Sequence, residues 1–206
     1  MTNKKRFIEF LENSERNFDV VKTLKKFEEF FSYLVSENEF VNLISRKMDK
    51  NDYWTKHFLD SLIPMYLFDF NNKSVLDFGT GGGLPGIPLK LVFCKMRTHL
   101  LDSKLKKINV IKKIVKKLDL KDVYSISTRL EDMDSKWNLK FDYIVCRSVK
   151  IERRYKNHLL RLLKNDGKLI LYKSKMMDHI FQFNNRKIHE FEFEEIGLRR
   201  IVEITK

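Results

Sequence analysis

The chain concentrates its glycines in one short loop that follows an aspartate. Five of the seven glycines among the 206 residues lie in the run Asp77-Phe78-Gly79-Thr80-Gly81-Gly82-Gly83-Leu84-Pro85-Gly86. Glycine allows a tight turn and a close approach of the backbone to a ligand, and a helix that follows offers unpaired N–H groups at its start. The loop therefore predicts a site for a nucleotide-type cofactor.

The spacing within the loop separates two kinds of nucleotide site. In the dinucleotide fingerprint the third glycine comes three residues after the second, and Leu84 occupies that position here. Glycines at 79, 81 and 83 after Asp77 match better the loop of S-adenosylmethionine-dependent methyltransferases. Asp102, 21 residues after Gly81, ends the next predicted strand, where a carboxylate can bind ribose hydroxyls. The alternative for Asp102 is a structural role as a cap or first-turn carboxylate of the following helix.

The segments around the loop predict a parallel sheet. Strand-like runs alternate with helical runs after residue 70, and the strand-like runs are 74–78, 99–102, 123–126, 141–145 and 168–172. Repeated strand–helix units indicate parallel strands with helices on both faces. Two further runs, 191–196 and 200–204, are separated at Gly197 and predict a closing antiparallel hairpin. We therefore expect an α/β fold with a mostly parallel seven-stranded sheet.

Charge and periodicity divide the chain near residue 70. Residues 1–70 carry 11 Lys and Arg against 12 Asp and Glu, so residues 71–206 carry a net charge of +14 and account for all of the chain's +13. Before the boundary, apolar residues such as Phe27, Phe30 and Leu34 recur at steps of three and four, which is helical spacing. The sequence predicts a helical N-terminal extension at 1–70 and a sheet-containing domain at 71–206.

Composition excludes several classes of protein. A hydrophobic content of 43% with 17 Phe argues against disorder driven by charge. Cys94 and Cys146 are too few for a disulfide framework, which favours a reducing compartment. No apolar run approaches the ~20 residues that span a bilayer, and acidic residues interrupt any signal-peptide core near the N-terminus. We expect a cytoplasmic protein without a membrane span.

Six segments stand in the order and spacing of one methyltransferase family. They are Asn42-Leu43, His57-Phe58-Leu59-Asp60-Ser61-Leu62, Asp77 to Pro88, Leu101-Asp102-Ser103, Arg129-Leu130-Glu131 and Arg147-Ser148. Over about residues 40–175 the chain resembles the RsmG family, also called GidB, which methylates N7 of a guanine in 16S ribosomal RNA. The resemblance implies a Rossmann-like class I methyltransferase domain and S-adenosylmethionine as cofactor. It also implies 16S rRNA or a small-subunit precursor as partner of a protein that we expect to be a monomer.

The resemblance also implies which residues contact the cofactor. Those implied by the family are Gly79, Leu84, Leu130, Glu131 and Arg147, and the general fold adds Gly81 and Asp102. For Arg147 the alternative is an ion pair with an acid such as Asp142 or Glu131. Guanine N7 carries no proton, so methyl transfer needs alignment and electrostatic stabilisation and no general base. We accordingly predict no catalytic acid or base and no metal ligand.

His57, Asp60 and Ser61 together suggest hydrolase chemistry at first sight. His57 and Ser61 are four residues apart on a predicted helix and share a face. The simpler interpretation is that this helix packs through its apolar residues while its polar residues bind a neighbouring loop. A functional alternative is that the helix covers the cofactor or contacts RNA.

Two basic runs are candidates for RNA contact. The predicted helix 104–118 carries seven lysines, but a lysine face is usually only solvated. The second run follows the fourth and fifth predicted strands, where open parallel sheets bind ligands. We expect its members to bind RNA: Lys150, Arg153, Arg154, Lys173 and Lys175. A non-catalytic RNA-binding module, or a methyltransferase for a small molecule or protein, are the alternative functions.

Overall fold

The N-terminal part of the protein is helical. The computed structural model describes residues 2–174 and 180–206. Helices α1 and α2 each begin at a side-chain cap, since Thr2 accepts a hydrogen bond from the Lys5 amide and Asp19 accepts one from the Lys22 amide. The segment continues through a π-helical turn, a type found often at functional sites. Its elements are α1 (Asn3–Glu12), α2 (Val20–Asn38), a 3-10 turn (Lys50–Asp52), the π-helix (Tyr53–Leu59), α3 (Asp60–Leu62) and a second 3-10 turn (Ile63–Tyr66).

All seven strands of the described chain lie in its second part and form one sheet. Its strands are β1 (Ser74–Phe78), β2 (Arg97–Asp102), β3 (Val123–Ser127), β4 (Phe141–Arg147), β5 (Leu163–Lys173), β6 (Arg186–Phe193) and β7 (Gly197–Ile204). The order across the sheet is β3-β2-β1-β4-β5-β7-β6. Strands β1 to β5 are parallel, and β7 pairs antiparallel with both β5 and β6. The predicted fold class is confirmed.

Helices cover both faces of this sheet. Three helices alternate with the parallel strands: α4 (Gly86–Val92), α5 (Leu105–Lys117) and α6 (Tyr155–Leu162). Residues of α4 and α5 belong to one buried cluster, whereas Leu159 and Leu162 of α6 belong to the cluster on the other face. Among the described residues, no helix combines the length and the apolar character needed to cross a bilayer.

The N-terminal helices share a core with the sheet. Phe7, Phe27 and Phe58 form one buried cluster with Ile87 and Ile170, and the Phe7 and Phe27 ring centroids lie 4.8 Å apart. The division of the chain at residues 70 and 71 stays a prediction, and the two parts are packed as one hydrophobic unit.

The closing hairpin differs from its predicted boundaries. Strand β6 runs from Arg186 to Phe193 and residues 194–196 form the turn, so the predicted strand run 191–196 was wrong at both ends. Gly197, predicted to separate the two strands, is the first residue of β7. Arg6 of α1 lies 3.2 Å from Glu194 and 3.0 Å from Glu195. This tertiary contact holds the turn in place, and the local sequence carries no signal for it.

Candidate functional site

The glycine loop and the carboxyl ends of β1, β2 and β4 surround a cleft of about 720 Å³, called here the first cleft. All seven residues predicted to contact the cofactor line it: Gly79, Gly81, Leu84, Asp102, Leu130, Glu131 and Arg147. Ligands of open parallel sheets bind at this edge, next to the point where strand order reverses between β1 and β4. The structure therefore brings together residues that are up to 68 positions apart in the sequence.

Gly79 and Gly81 give the loop its shape. Their φ angles are +74° and +54°, a region that residues with a side chain rarely adopt. A Cβ atom on Gly79 would collide with the side chain of Val149, whereas one on Gly81 would lie 3.6 Å from its nearest neighbour, the Leu43 carbonyl oxygen. Gly79 is thus fixed by the close approach of a second loop, and Gly81 leaves space at the cleft.

Asp77 holds the loop from below. It is fully buried, and its Oδ2 accepts hydrogen bonds from Thr80 Oγ1 at 2.6 Å and from the Gly86 amide at 2.9 Å. Burial raises the pKa of Asp77 to about 6, although these hydrogen bonds favour the charged form. The carboxylate connects the start of the loop to the first residue of α4 and orients the backbone above it.

Asp102 joins the same loop from β2. Its Oδ2 accepts a hydrogen bond from the Gly81 amide at 3.1 Å, and its Oδ1 accepts one from the Lys104 amide at 2.9 Å. Helix α5 is preceded by Lys104 as its cap residue, so Asp102 is not the N-cap itself. Asp102 therefore lines the first cleft and also fixes the backbone on both of its sides.

The first cleft suits an adenosine-containing cofactor. Leu84 and Leu130 are buried apolar side chains that can pack against a planar base. Asp102 and Glu131 supply carboxylates for hydroxyl or amine groups, and Gly79 and Gly81 contribute backbone without side chains. These residues fit S-adenosylmethionine, whose parts are a purine, a ribose and a charged amino acid chain.

A second cleft of about 580 Å³ adjoins the first. Two residues predicted to bind RNA, Lys150 and Lys173, line it. Further basic residues around it, which sequence analysis did not assign, are Lys56, Arg199 and Arg200. Its apolar lining includes Ile63, Tyr172 and Ile201, and Asp60 is the one acidic residue among the described residues that line it. The second cleft thus combines apolar surface with a strongly basic rim.

Four residues line both clefts and are called here the shared wall: His57, Arg147, Ser148 and Val149. They come from the π-helix, the end of β4 and the loop after it. Ser148 has a φ of +59°, an uncommon conformation for a residue other than glycine. Such strained backbone persists only where surrounding contacts fix it, as the Gly79–Val149 contact does here.

Arg147 is bound to the π-helix side of the wall. Its Nη1 donates to Asp60 Oδ2 at 2.9 Å and to the His57 carbonyl at 3.1 Å. The alternative considered from sequence, an ion pair of Arg147 with an acid, is confirmed, but the acid is Asp60, and the examples Asp142 and Glu131 were wrong. Those acids pair instead with Lys164 at 2.9 Å and with Arg154 at 3.6 Å. Contact between Arg147 and the cofactor stays a prediction, and the position of Arg147 in the lining of the first cleft is consistent with it.

His57 is uncharged at neutral pH. Burial, and next the charge of Arg147, lowers the pKa of His57 to about 3. Its Nδ1 lies 3.4 Å from Arg147 Nη2, and Ser61 Oγ donates to the His57 carbonyl oxygen at 2.5 Å. Ser61 is therefore bound to backbone rather than to the imidazole, so the arrangement of a serine hydrolase is absent from these residues. The helix does reach both clefts, as its functional interpretation requires.

The remaining residues predicted to bind RNA are more dispersed. Arg154 lines the first cleft and pairs with Glu152 at 3.0 Å, whereas Arg153 is exposed and lines neither cleft. Lys175 lies outside the described residues. RNA contact by any of these side chains stays a prediction.

Sequence analysis missed a rim that follows α2. Leu43, Ile44 and Ser45 line the first cleft, and the buried Asn38 side chain accepts hydrogen bonds from the amides of Leu43 and Ile44. The Asn42-Leu43 pair was part of the resemblance and carried the available signal. Lys107 of α5 also lines this cleft, and nothing distinguished it from the other lysines of its helix.

Comparisons with known proteins agree with this geometry. A protein-family model described as "GidB: rRNA small subunit methyltransferase G" matches residues 23–199. A protein named ribosomal RNA small subunit methyltransferase G from Oenococcus oeni is 40% identical over 152 residues, covering 72% of this chain and 62% of that protein. One of the same name from Staphylococcus aureus is 32% identical over 206 residues, covering 93% and 86%.

The alignment with this chain covers only part of the length of these relatives. The chain spans 62% of the Oenococcus oeni protein and 64% of its Mesoplasma florum counterpart, less than two thirds of each.

Solved structures support the fold. A SAM-dependent methyltransferase from Aquifex aeolicus superimposes with a TM-score of 0.59 at 15% identity, covering 85% of this chain and 98% of that one. A precorrin-6y C5,15-methyltransferase from Geobacter metallireducens gives 0.53 at 14% identity, covering 72% and 87%. At these identities the likeness concerns the fold alone.

Proposed function

Because the chain belongs to the rRNA small subunit methyltransferase G family, we propose that the protein methylates N7 of a guanine in 16S ribosomal RNA with S-adenosylmethionine as methyl donor. The observation that carries this proposal is the pair of adjoining clefts. One is built from a glycine loop and carboxylates, the other is basic and apolar, and four residues separate them. A methyl donor bound in the first cleft and an acceptor base bound in the second would therefore be neighbours at these four residues.

The first cleft holds the methyl donor in this proposal. Gly79 and Gly81 admit it next to backbone, Leu84 and Leu130 pack on its base, and Asp102, Glu131 and Arg147 bind its polar groups. S-adenosylmethionine supplies, when bound, a methyl group on a positively charged sulfur. His57 also lines the first cleft, and because its pKa is lowered to about 3 it adds no second positive charge next to Arg147.

The second cleft receives the acceptor nucleoside. Lys150 and Lys173 neutralise backbone phosphates at its rim. Apolar surface from the half-buried Met48 and Val149 accommodates the face of a base that has left its stack. Guanine N7 needs no deprotonation, so these residues contribute orientation and exclusion of water, and no side chain moves a proton.

We also propose that the protein acts as a monomer in the cytoplasm. Both clefts are lined by residues of one chain, so a second copy is not required to complete the site. Both cysteines are unpaired, as is usual in a reducing compartment.

The test is a methylation assay with three RNA substrates. Purified protein is incubated with methyl-tritiated S-adenosylmethionine and naked 16S rRNA, 30S subunits or 70S ribosomes, and the labelled base is mapped by chain cleavage at N7-methylguanine. Label at one guanine of 16S rRNA is the expected result, and the most active substrate identifies the stage of assembly.

The same assay separates the alternatives. RNA binding without label on any substrate would favour a non-catalytic RNA-binding module. Binding of S-adenosylmethionine without RNA binding would favour a methyltransferase for a small molecule or a protein.

A further inference from the structure

Asp60 connects three separate parts of the site. Its side chain is 12% exposed, and the carboxylate accepts from two arginines, with Arg147 Nη1 at 2.9 Å from Oδ2 and Arg199 Nε at 2.8 Å from Oδ1. Arg147 ends β4, Arg199 lies on β7, and Asp60 follows the π-helix directly. One charged group thus ties the π-helix to two strands of the sheet.

The two arginines differ in what else they bind. Arg147 Nη1 also donates to the His57 carbonyl, and its Nη2 lies beside His57 Nδ1, so Asp60 fixes two of the four residues of the shared wall. Arg199 donates to the carbonyls of Ile196 and Leu198 in the hairpin, which anchors it away from the first cleft. Asp60 and Arg199 line the second cleft only, whereas Arg147 lines both.

The charge of Asp60 is unfavourable for simple RNA affinity. Besides the two arginines that it binds, it shares the lining of the second cleft with Lys56, Lys150 and Lys173. A carboxylate in such a cleft repels a phosphate and competes with it for the guanidinium groups. Its presence there is understandable if the arginines must be kept in place rather than left free to bind the RNA backbone.

We propose that Asp60 and Arg199 are positioning residues for methyl transfer. Asp60 holds Arg147, and through it His57, in the geometry of the shared wall, and it keeps both guanidinium groups from capturing phosphates in the second cleft. Arg199 holds Asp60 on its other side. The inference rests on the proposed function, and it concerns the alignment of the acceptor rather than the strength of its binding.

The chain offers a matched control in Glu203. Its side chain is 15% exposed, close to the 12% of Asp60. It too bridges segments, since it accepts from Lys168 of β5 and lies 3.1 Å from His189 Nε2 of β6. Glu203 lines neither cleft. Removing its charge should disturb folding to a similar degree without touching the wall.

The experiment compares Asp60→Asn with Glu203→Gln. For both variants the measurements are kcat, KM for the 16S rRNA substrate, the Kd of S-adenosylmethionine and the Tm. We expect Asp60→Asn to lower kcat by about tenfold or more while KM for RNA stays equal or falls, because a negative charge has left a basic cleft. Glu203→Gln should lower Tm to a similar extent and keep kcat within about twofold.

Rescue distinguishes positioning from folding. Asp60→Glu keeps the negative charge, so its kcat should lie above that of Asp60→Asn. Arg199→Lys should also lower kcat less than Asp60→Asn does, because the bond between Asp60 and Arg147 remains. If Asp60→Asn fails to fold, Arg199→Gln provides the same comparison from the other partner. Equal kcat losses in Asp60→Asn and Glu203→Gln, or a rise in KM with unchanged kcat, would overturn the inference.

Failure of the proposed function gives a different result. If the unmodified protein does not label 16S rRNA, the proposed function fails. If it labels RNA and Asp60→Asn has a normal kcat, the positioning inference fails alone.

Discussion

The first and second clefts share four residues but are built in different ways. The first depends on contiguous backbone: a glycine loop whose amides bind Asp102 and the Leu101 carbonyl, with Gly79 N and Leu101 O 2.9 Å apart. The second depends on single side chains, among them Lys56, Lys173 and Arg199, that come from distant segments. All seven residues predicted to contact the cofactor line the first cleft, whereas two of the four described residues predicted to bind RNA line the second, Lys175 lying outside the described residues.

The difference shows which kinds of site a single sequence reveals. A loop that must turn with positive φ angles requires glycine at fixed positions, so its spacing is visible locally. A basic cleft requires only that several cations face the same space, and many lysine positions satisfy that demand equally well. The charge of +13 therefore says little about which lysines contact RNA.

The largest expected effect is at the point where the clefts touch. In Gly79→Ala the new Cβ collides with Val149 of the shared wall and the residue keeps a φ of +74°. We expect methyl transfer to fall by about 100-fold or more, because both clefts lose their geometry. The measurement is kcat/KM with 16S rRNA, together with the Kd of S-adenosylmethionine.

Gly197→Ala is the control for this substitution. Gly197 has a φ of +68° and no atom within 4 Å of its Cβ position, so the substitution carries the backbone cost without the collision. Gly197→Ala should lose about 1–2 kcal/mol of unfolding free energy, and Gly79→Ala should lose more because of the added collision with Val149. A comparable loss of activity in Gly197→Ala would show that general destabilisation explains the result.

An intermediate effect should separate the two clefts. In the double variant Lys150→Glu and Lys173→Glu we expect RNA affinity to fall by about tenfold or more. The slope of the logarithm of the binding constant against the logarithm of the salt concentration should become shallower, by the amount that corresponds to the loss of about two phosphate contacts. The Kd of S-adenosylmethionine should not change, since neither lysine lines the first cleft. Filter binding over a salt series measures the first quantity, and calorimetry measures the second.

The control reverses the same number of charges elsewhere. Lys112 and Lys113 of α5 are exposed and line neither cleft. Their replacement by Glu should weaken RNA binding less. If the two double variants weaken it equally, RNA binding follows overall charge and the second cleft has no special part in it.

The smallest expected effect concerns pH and the shared wall. The pKa of His57 is lowered from 6.5 to about 3 and that of His99, which lines neither cleft, from 6.5 to about 4, mainly by burial. Each histidine therefore contributes to the unfolding free energy in full above pH 6.5, and this contribution is lost as the pH falls below 6.5. The reason is that the histidine of the unfolded chain takes up a proton at a higher pH than the buried histidine of the folded protein does. Asp77 has the opposite sign, since its pKa is raised to about 6.

We expect His57→Gln and His99→Gln each to reduce the loss of unfolding free energy on acidification by about 1 kcal/mol per pH unit. Denaturant titrations at pH 7, 6 and 5 measure this slope. Only His57→Gln should also lower methyl transfer at pH 7. An unchanged slope in both variants would mean that neither histidine is held neutral by burial.

The sequence by itself determined the local features of this protein. The glycine loop, the alternation of strands and helices, the closing hairpin and the carboxylate of Asp102 all follow from residue types at short spacing, because backbone conformation and amphipathic burial are decided within a few residues. These features were enough to place the first cleft.

The tertiary structure alone decided what joins the two clefts. Asp60 binds Arg147 and Arg199, which are 87 and 139 residues away in the sequence. Val149, in the loop after β4, packs against Gly79 in the glycine loop. Sequence analysis named Arg147 but offered it the wrong acids, since Asp142 is near in sequence yet bound to Lys164. Charged side chains have many partners available at long range, and only the fold that brings Asp60 next to Arg147 of β4 and Arg199 of β7 selects among them.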